Sequence, residues 1–515
     1  MNNKSRVKNS VTNAFVTLFC QVLTLGLGFI VRTFFINKLG TSYLGINGLY
    51  TNILTVLSLA ELGIGSAIGF SLYKPIAEND KDKISALMYF YKQAYRIIFV
   101  VVTLVGLSLV PFLKYLITTD KEIDHLVLYY VLFLANSSLS YLFAYKGTLL
   151  QIDQNVYITK ILHTIFSVIQ NVGQLAILFL TKNFTFYIVV QIACTLMNNI
   201  AVSIIVDRKY GFIKKNKTRL EKNEQRKIFK NIKAMLVYKI GGILVNNTDN
   251  ILISKIISIT AVGLYSNYTL IVYSLTNFLD VLLGSITASI GSYNVNASPS
   301  DSKKLFEAIS LFNYWVYGFS TVALYSLLDN FIHLWLSTDV YLLDHKTLVA
   351  IVLSFFIIGI TSSTSMFRTT TGLFKQTKYI FLITSLLNLV LSVILGIKTG
   401  LCGIIFATSI SKLLTNVWFE PYRLYKDIFK ESCIPHFLKR LKITVLAVIS
   451  CVIIKLLFNF IPYLDTFTFI IEAGIVVIVP NTVFLLAYFR TEEFKYIFSK
   501  FKPFWENKVK TILHR

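Results

Sequence analysis

A band of polar residues interrupts one long apolar segment of the chain. The letters NNTDN at 246–250 lie between the apolar runs GGILV and ILIS. In a helix Asn246, Asp249 and Asn250 share one side, and Lys239, seven residues before Asn246, lies on the same side. Asn247 widens the band. A lipid-facing helix cannot carry such a band, so the pattern predicts either a hydrated cavity for a polar substrate or hydrogen bonds to neighbouring helices.

Two acidic residues lie within other apolar segments. Glu61 stands in LSLAELGIGSAIG, and Asp280 interrupts the apolar run after residue 261. An ionisable side chain inside a bilayer costs several kcal/mol unless it faces protein or water, which makes both residues functional candidates. We predict that they couple transport to protons or to Na⁺; the alternative is that each carboxylate pairs with a neighbouring helix.

Cations also occur within apolar segments. Arg32 lies toward the outer end of the first one, and Lys412 lies in the twelfth. With Lys239 they are candidates for contact with an anionic substrate group. For Arg32 the alternative is that its long side chain reaches out to the membrane surface.

Motifs for enzyme chemistry are absent from the sequence. The six histidines form no HExxH motif, the five cysteines form no CxxC motif, and no Walker A sequence is present. We therefore expect a protein that is not an enzyme, with no metal and no cofactor.

The composition indicates a membrane protein. Hydrophobic residues make up 55% of the 515 residues and charged residues 15%, whereas about 25% are charged in soluble domains. The 50 Lys and Arg exceed the 26 Asp and Glu. In a membrane chain this excess favours loops held against an anionic leaflet over binding of nucleic acid.

Apolar segments long enough to cross a bilayer recur along the whole chain. About 20 residues are needed for each crossing. The sequence therefore predicts an all-α polytopic membrane protein with about fourteen transmembrane helices. Their predicted positions are 11–36, 44–72, 94–116, 125–145, 158–180, 184–206, 234–256, 261–289, 305–331, 348–370, 379–397, 401–418, 441–461 and 467–488.

The distribution of cations predicts the orientation. With the N-terminus in the cytoplasm, 38 Lys and Arg lie in or at the edges of the cytoplasmic connections and tails, against 7 in the outward connections. We therefore predict a multi-pass protein of the bacterial cytoplasmic membrane with both termini in the cytoplasm.

Two basic connections divide the predicted helices into groups of six, six and two. The predicted parts are an N-lobe at 1–206, a basic linker at 207–233, a C-lobe at 234–418, a second basic linker at 419–440, a helix pair at 441–488, and a basic tail at 489–515.

An internal repeat supports the two lobes. Laying YLGINGLYTNILTVLSLAELG on AVGLYSNYTLIVYSLTNFLDV at an offset of 218 matches Gly45 with Gly263, Tyr50 with Tyr268 and Thr51 with Thr269. The match places the second span on the eighth, as a six-helix duplication requires. Such repeats indicate a transporter with a pseudo-twofold axis and a site between its halves.

Three stretches resemble the Wzx-type polysaccharide flippases of the MOP superfamily, most closely the capsule and exopolysaccharide branch. They are KLGTSYLGINGLYTNILTVLSLAELGIGSAIGFSLYKPIAEND (38–80), TDNILISKIISITAVGLYSNYTLI (248–271) and FRTTTGLFKQTKY (367–379). The resemblance implies two six-helix lobes around a cavity. It also implies export of an undecaprenyl-diphosphate-linked oligosaccharide from the cytoplasmic to the outer leaflet for surface polysaccharide biosynthesis. Polysaccharide polymerase or assembly proteins are then expected partners.

Other functions predict different sequence features. A MATE-like exporter of small amphiphilic compounds would share the fold but usually has twelve helices. A membrane glycosyltransferase or polymerase would be expected to carry its acids in a long outer loop, whereas the outward connections here are short. A membrane scaffold without transport would not need NNTDN inside the bilayer.

Overall fold

Every regular element in the described part of the chain is a helix. The computed structural model describes residues 3–61, 64–118, 123–153, 155–215, 220–226, 228–229, 232, 247–377, 379–461 and 464–499. The main helices are α1 (Asn3–Leu39), α2 (Thr41–Leu57), α3 (Ile64–Glu78), α4 (Lys81–Ser108), α5 (Leu126–Ile152), α6 (Val156–Leu180), α7 (Phe184–Lys209), α8 (Asp249–Ile256), α9 (Ile259–Asn296), α10 (Pro299–Leu336), α11 (His345–Thr370), α12 (Ile380–Thr399), α13 (Leu401–Leu414), α14 (Asn416–Leu424), α15 (Ile434–Phe458) and α16 (Thr466–Tyr488).

The helices confirm the predicted all-α membrane fold. Among the described residues, ten helical segments are long and apolar enough to cross a bilayer, and they correspond to predicted spans one, three to six and ten to fourteen. The other four predicted spans fall on α2 with α3, on α8 together with residues outside the described part, and on α9 and α10. These last two have 38 residues each, so each is about 57 Å long and exceeds the hydrocarbon thickness.

The second predicted span, 44–72, is interrupted. Helix α2 ends at Leu57, a 3₁₀ turn covers Ser58–Glu61, and α3 begins at Ile64. The Ser58 hydroxyl donates a hydrogen bond to the Thr55 carbonyl oxygen, 2.6 Å away. The segment ELGIGSAIG is rich in glycine, which is a poor helix former, so a break here follows from the local sequence. The break places Glu61 at the end of a turn rather than within a helix.

Packing divides the chain into two units at Ser266/Asn267. In the first unit α5 packs on α4 and α7, and α6 packs on α1 and α7. In the second unit α11 packs on α10 and α13, and α12 packs on α13. The boundary falls within α9, and the predicted lobe limits at 207–233 and 419–440 remain predictions.

The C-terminal helix pair packs on α10 within the second unit. Its core joins Tyr314 and Val322 of α10 to Ile443 of α15 and Phe484 of α16. Two polar contacts fix the register. Trp315 Nε1 donates to Asn481 Oδ1 at 2.7 Å, and Asn330 Nδ2 donates to Glu472 Oε2 at 2.7 Å. Because polar side chains within a bilayer favour partners on other helices, these bonds hold α16 against α10.

Candidate functional site

Two helical hairpins meet through glycines in the first unit. A Cβ atom at Gly45 of α2 would collide with the carbonyl oxygen of Ile259, at the start of α9. A Cβ atom at Gly263 of α9 would likewise collide with the carbonyl oxygen of Thr41, at the start of α2. Only glycine permits both approaches of backbone to backbone. We call this contact the glycine seam.

The glycine seam has the symmetry of the internal repeat. Its residues are related by the offset of 218 found in the sequence, since Thr41 corresponds to Ile259 and Gly45 to Gly263. Ser42 and Thr260, which also correspond, place their hydroxyl oxygens 3.3 Å apart. Reciprocal contacts of this kind are those made across a twofold axis. The seam therefore supports the repeat that the sequence predicts.

Arg32 and Asn250 occupy equivalent positions beside the seam. They differ by 218, as do Gly48 and Ser266. The Arg32 guanidinium donates a hydrogen bond to the Ser266 hydroxyl, and Asn250 Nδ2 lies 3.6 Å from the position of a Cβ at Gly48. Measured along the helix axes, both pairs lie about 10 Å from the turns that join α1 to α2 and α8 to α9. The repeat thus places Arg32 and Asn250, two predicted substrate-contact residues, at equivalent positions on the predicted cytoplasmic side of the seam.

The polar band is described only in part. Lys239 and Asn246 lie outside the described residues. Asn247, Asp249 and Asn250 are half-buried at and just before the start of α8. This helix packs on α2, and Asn250 of the band lies at that contact, with Nδ2 3.6 Å from the position of a Cβ at Gly48.

A cluster of tyrosines surrounds Glu61. The Tyr95 hydroxyl donates a hydrogen bond to Glu61 Oε1, and the Tyr91 hydroxyl lies 3.4 Å from that of Tyr95 and 3.1 Å from Thr148 Oγ1. Tyr141 adds an edge-on contact with Tyr95, with ring centroids 6.2 Å apart. The carboxylate of the 3₁₀ turn is thereby held against α4 by a chain of hydroxyl groups that reaches α5. This arrangement suits a site where a proton or cation exchanges with the carboxylate, and it equally satisfies a structural role.

A polar cavity of about 280 Å³ lies beside this turn. Helices α2, α5 and α7 line it mainly with hydroxyl and amide groups from Thr51, Thr55, Ser58, Asn136, Ser137, Ser140, Gln191 and Thr195. The cavity is large and polar enough to hold several waters. Of the turn that ends at Glu61, Ser58 lines the cavity.

The remaining two candidates lie in the second unit. Asp280 is exposed on α9, and Lys412 is half-buried near the end of α13. Arg32, Glu61 and the described part of the polar band lie in the first unit. The candidates therefore do not form one cluster within either unit.

The second unit contains a buried ionic network that the sequence analysis did not predict. Arg368 Nε of α11 lies 3.3 Å from Glu420 Oε1 of α14, and both side chains are almost fully buried. Arg440 of α15 donates hydrogen bonds to Tyr314 Oη, to Thr364 Oγ1 and to the carbonyl oxygens of Ile360 and Val417. These bonds join α10, α11, α14 and α15. Because breaking a buried pair leaves an uncompensated charge, the network anchors the start of α15.

The sequence analysis missed two groups of residues, those that line the polar cavity and those of the ionic network. Only the first group leaves a pattern in the sequence. Thr51, Thr55 and Ser58 recur at helical spacing in an apolar segment, and this polar stripe could have predicted one wall of the cavity. Arg368, Glu420 and Arg440 lie at or beyond the ends of predicted spans, where charges are ordinary. Their partners come from distant parts of the chain, so spacing could not have revealed them.

Comparison with protein families gives one match of wide coverage. The sequence model of a family described as polysaccharide biosynthesis protein matches residues 10–290, which is more than half of the chain. No protein with a curated description matches the chain.

Several solved structures share the fold. The lipid II flippase MurJ, in an inward closed conformation, superposes with a TM-score of 0.62 at 19% identity and covers 93% of this chain and 99% of its own. An inward-facing multidrug resistance MATE family transporter of the MOP superfamily gives 0.61 at 12% identity, covering 80% of this chain and 98% of its own. The Vibrio cholerae MATE transporter VcmN gives 0.57 at 15% identity, covering 84% and 98%. The chain therefore shares the fold of these proteins, consistent with about fourteen transmembrane helices.

Proposed function

Since the chain belongs to the polysaccharide biosynthesis protein family, we propose that it is a flippase for a lipid-linked oligosaccharide. The substrate is an undecaprenyl-diphosphate-linked repeat unit, which moves from the cytoplasmic to the outer leaflet by alternating access. Its sugars and diphosphate cannot cross hydrocarbon unaided, whereas its isoprenoid tail can remain there. The protein supplies a polar path for the sugars and the diphosphate.

The glycine seam is the observation that carries this proposal. In the predicted orientation it joins the outward ends of α1 and α2 to those of α8 and α9. The connection after α4 adds to it, because Thr118 exchanges backbone hydrogen bonds with Ser254 and Ile259. The seam then closes the outward end of the path. It must open for the substrate to be released to the outer leaflet.

Arg32 lies where an anionic group would arrive below that closure. A guanidinium can bind a phosphate through two parallel hydrogen bonds, which makes arginine well suited to a diphosphate. We assign Arg32 to the diphosphate, and Asn250 and Asp249 of α8 to further contacts with the substrate. Lys239, Asn246, Asn247 and Lys412 are further contacts along the path.

Glu61 and Asp280 are the candidates for coupling to H⁺ or Na⁺. The polar cavity reaches Ser58, three residues before Glu61 in the same turn, and so gives water a place at this turn. Asp280 is exposed on a membrane-spanning helix, where an unneutralised carboxylate is costly, and a bound cation or proton would lower that cost.

The alternative is a MATE-like exporter of small amphiphilic compounds coupled to an ion gradient, because MATE transporters share the fold. The C-terminal pair α15 and α16 favours the flippase, since it adds two helices to the twelve usual in MATE exporters. The MurJ match also spans more of the chain than do the two MATE matches.

Deletion of the gene separates these functions. For the flippase we expect labelled lipid-linked oligosaccharide to accumulate on the cytoplasmic leaflet, with loss of surface polymer. Asp249→Ala should fail to restore the polymer although the protein reaches the membrane, whereas the exposed Asp124→Ala control should restore it. Unchanged polymer with altered drug tolerance would instead identify the MATE-like exporter.

A further inference from the structure

An apolar groove of about 460 Å³ lies in the second unit, between α10, α11 and α15. Its walls include Val352 and Phe356 of α11 and Ala447, Cys451 and Val452 of α15. Val452 is 54% exposed at the edge of the groove. The groove is open at the surface of helices that the sequence predicts to cross the bilayer, so a chain of hydrocarbon can enter it from the side.

The groove has the length of one leaflet. Along α15 it extends from Thr444 to Lys455, which is about 16 Å at the helical rise per residue. The hydrocarbon core of a bilayer is about 30 Å thick, so one leaflet contributes about half of it. One acyl chain of a phospholipid spans this distance, whereas the much longer undecaprenyl tail does not fit within it.

A cation marks one end of the groove. Lys455 lies in the last turn of α15 and is exposed, and no described acidic side chain forms an ion pair with it. Tyr325 of α10 also lines the groove, and its ring packs edge-on against that of His345, with centroids 5.8 Å apart. Lysine and aromatic side chains at the end of a membrane helix are typical of the headgroup level.

We propose that this groove binds an anionic phospholipid, with one acyl chain between α11 and α15 and the headgroup phosphate at Lys455. In the predicted orientation the lipid belongs to the outer leaflet. This lipid is not the transported substrate, so the site goes beyond the proposed function and can be tested without any transport assay.

The test measures lipid binding to the full-length purified protein. Detergent-solubilised protein is titrated with phosphatidylglycerol or with phosphatidylcholine, and bound lipid is counted by native mass spectrometry alongside thermal unfolding. We expect saturable binding of phosphatidylglycerol and a raised Tm, with weaker effects of phosphatidylcholine. Lys455→Ala should weaken phosphatidylglycerol binding about fivefold, the value expected for one surface lysine.

Two variants act as controls for charge and for the groove. Lys398→Ala removes an exposed lysine from the last turn of α12, on the same predicted side of the membrane, and should leave binding unchanged. Cys451→Phe fills the groove and should abolish the tightest binding while the lipid-free Tm stays near that of the parent protein. Equal affinity for both lipids, equal effects of the two lysine variants, or displacement of the phospholipid by equimolar undecaprenyl diphosphate would overturn the proposal.

Discussion

Glu61 is the candidate in the first unit for a carboxylate that exchanges an ion. It lies at the end of a 3₁₀ turn, accepts a hydrogen bond from Tyr95, and belongs to the same turn as Ser58, which lines the polar cavity. A helix break frees backbone groups that a regular helix would pair. Ser58 and Tyr95 place hydroxyl groups at this turn.

The coupling role predicts different effects for Glu61→Gln and Tyr95→Phe. Glu61→Gln removes the charge, so ion-stimulated flipping in proteoliposomes should fall about tenfold, within the usual range of coupling free energies. Tyr95→Phe removes the hydrogen bond and keeps the carboxylate, so stimulation by an imposed pH or Na⁺ gradient should persist. Equal losses in both variants, at equal protein levels, would instead assign Glu61 a structural role.

The sequence located Glu61 and Arg32 because an ionisable residue is conspicuous within an apolar run. It gave no comparable signal for Arg368, Glu420 or Arg440. Their side chains are buried through contacts among four helices that are distant in sequence, and burial of this kind depends on tertiary packing.

The glycine seam is the main contact between elements in the first unit that bears on the mechanism. Gly45 and Gly263 let the starts of α2 and α9 approach each other's backbones. The sequence matched these glycines as one pair of a repeat. Their mutual approach across a twofold axis is a property of the folded chain.

Gly45→Ala and Gly263→Ala should open the seam. An added methyl group in a close-packed contact costs about 1–3 kcal/mol, so the open state should gain population. The rate at which a membrane-impermeant maleimide labels a cysteine placed at Ser42 should therefore rise severalfold. Gly28→Ala, where the added Cβ meets no atom within 4 Å, should leave the rate unchanged. An unchanged labelling rate in both seam variants would show that the seam stays closed despite the added methyl group.

At the scale of the whole molecule, the proposed alternating access requires the seam to open during each cycle. Ser42 Oγ and Thr260 Oγ1 lie 3.3 Å apart, so cysteines at both positions can be crosslinked. In a background without the five native cysteines, oxidation or a short bifunctional reagent should stop flipping. Reduction of a disulfide should restore it.

The matched controls are the two single-cysteine variants, which should keep flipping under the same oxidant. Persistent flipping by a fully crosslinked double variant would show that the hairpins do not separate, and would exclude the seam as the outer closure.

The sequence alone determined that the chain is an all-helical membrane protein with a repeat at an offset of 218. Segment length, apolarity and cation distribution are local properties, and the bilayer imposes the same requirement on every crossing helix. Tertiary structure decided the hydrogen bond from Tyr95 to Glu61, the twofold contact of Gly45 with Gly263, and the packing of the C-terminal pair on α10. These features depend on which distant surfaces come together, because tyrosine hydroxyls, backbone carbonyls and buried arginines find their partners on other helices.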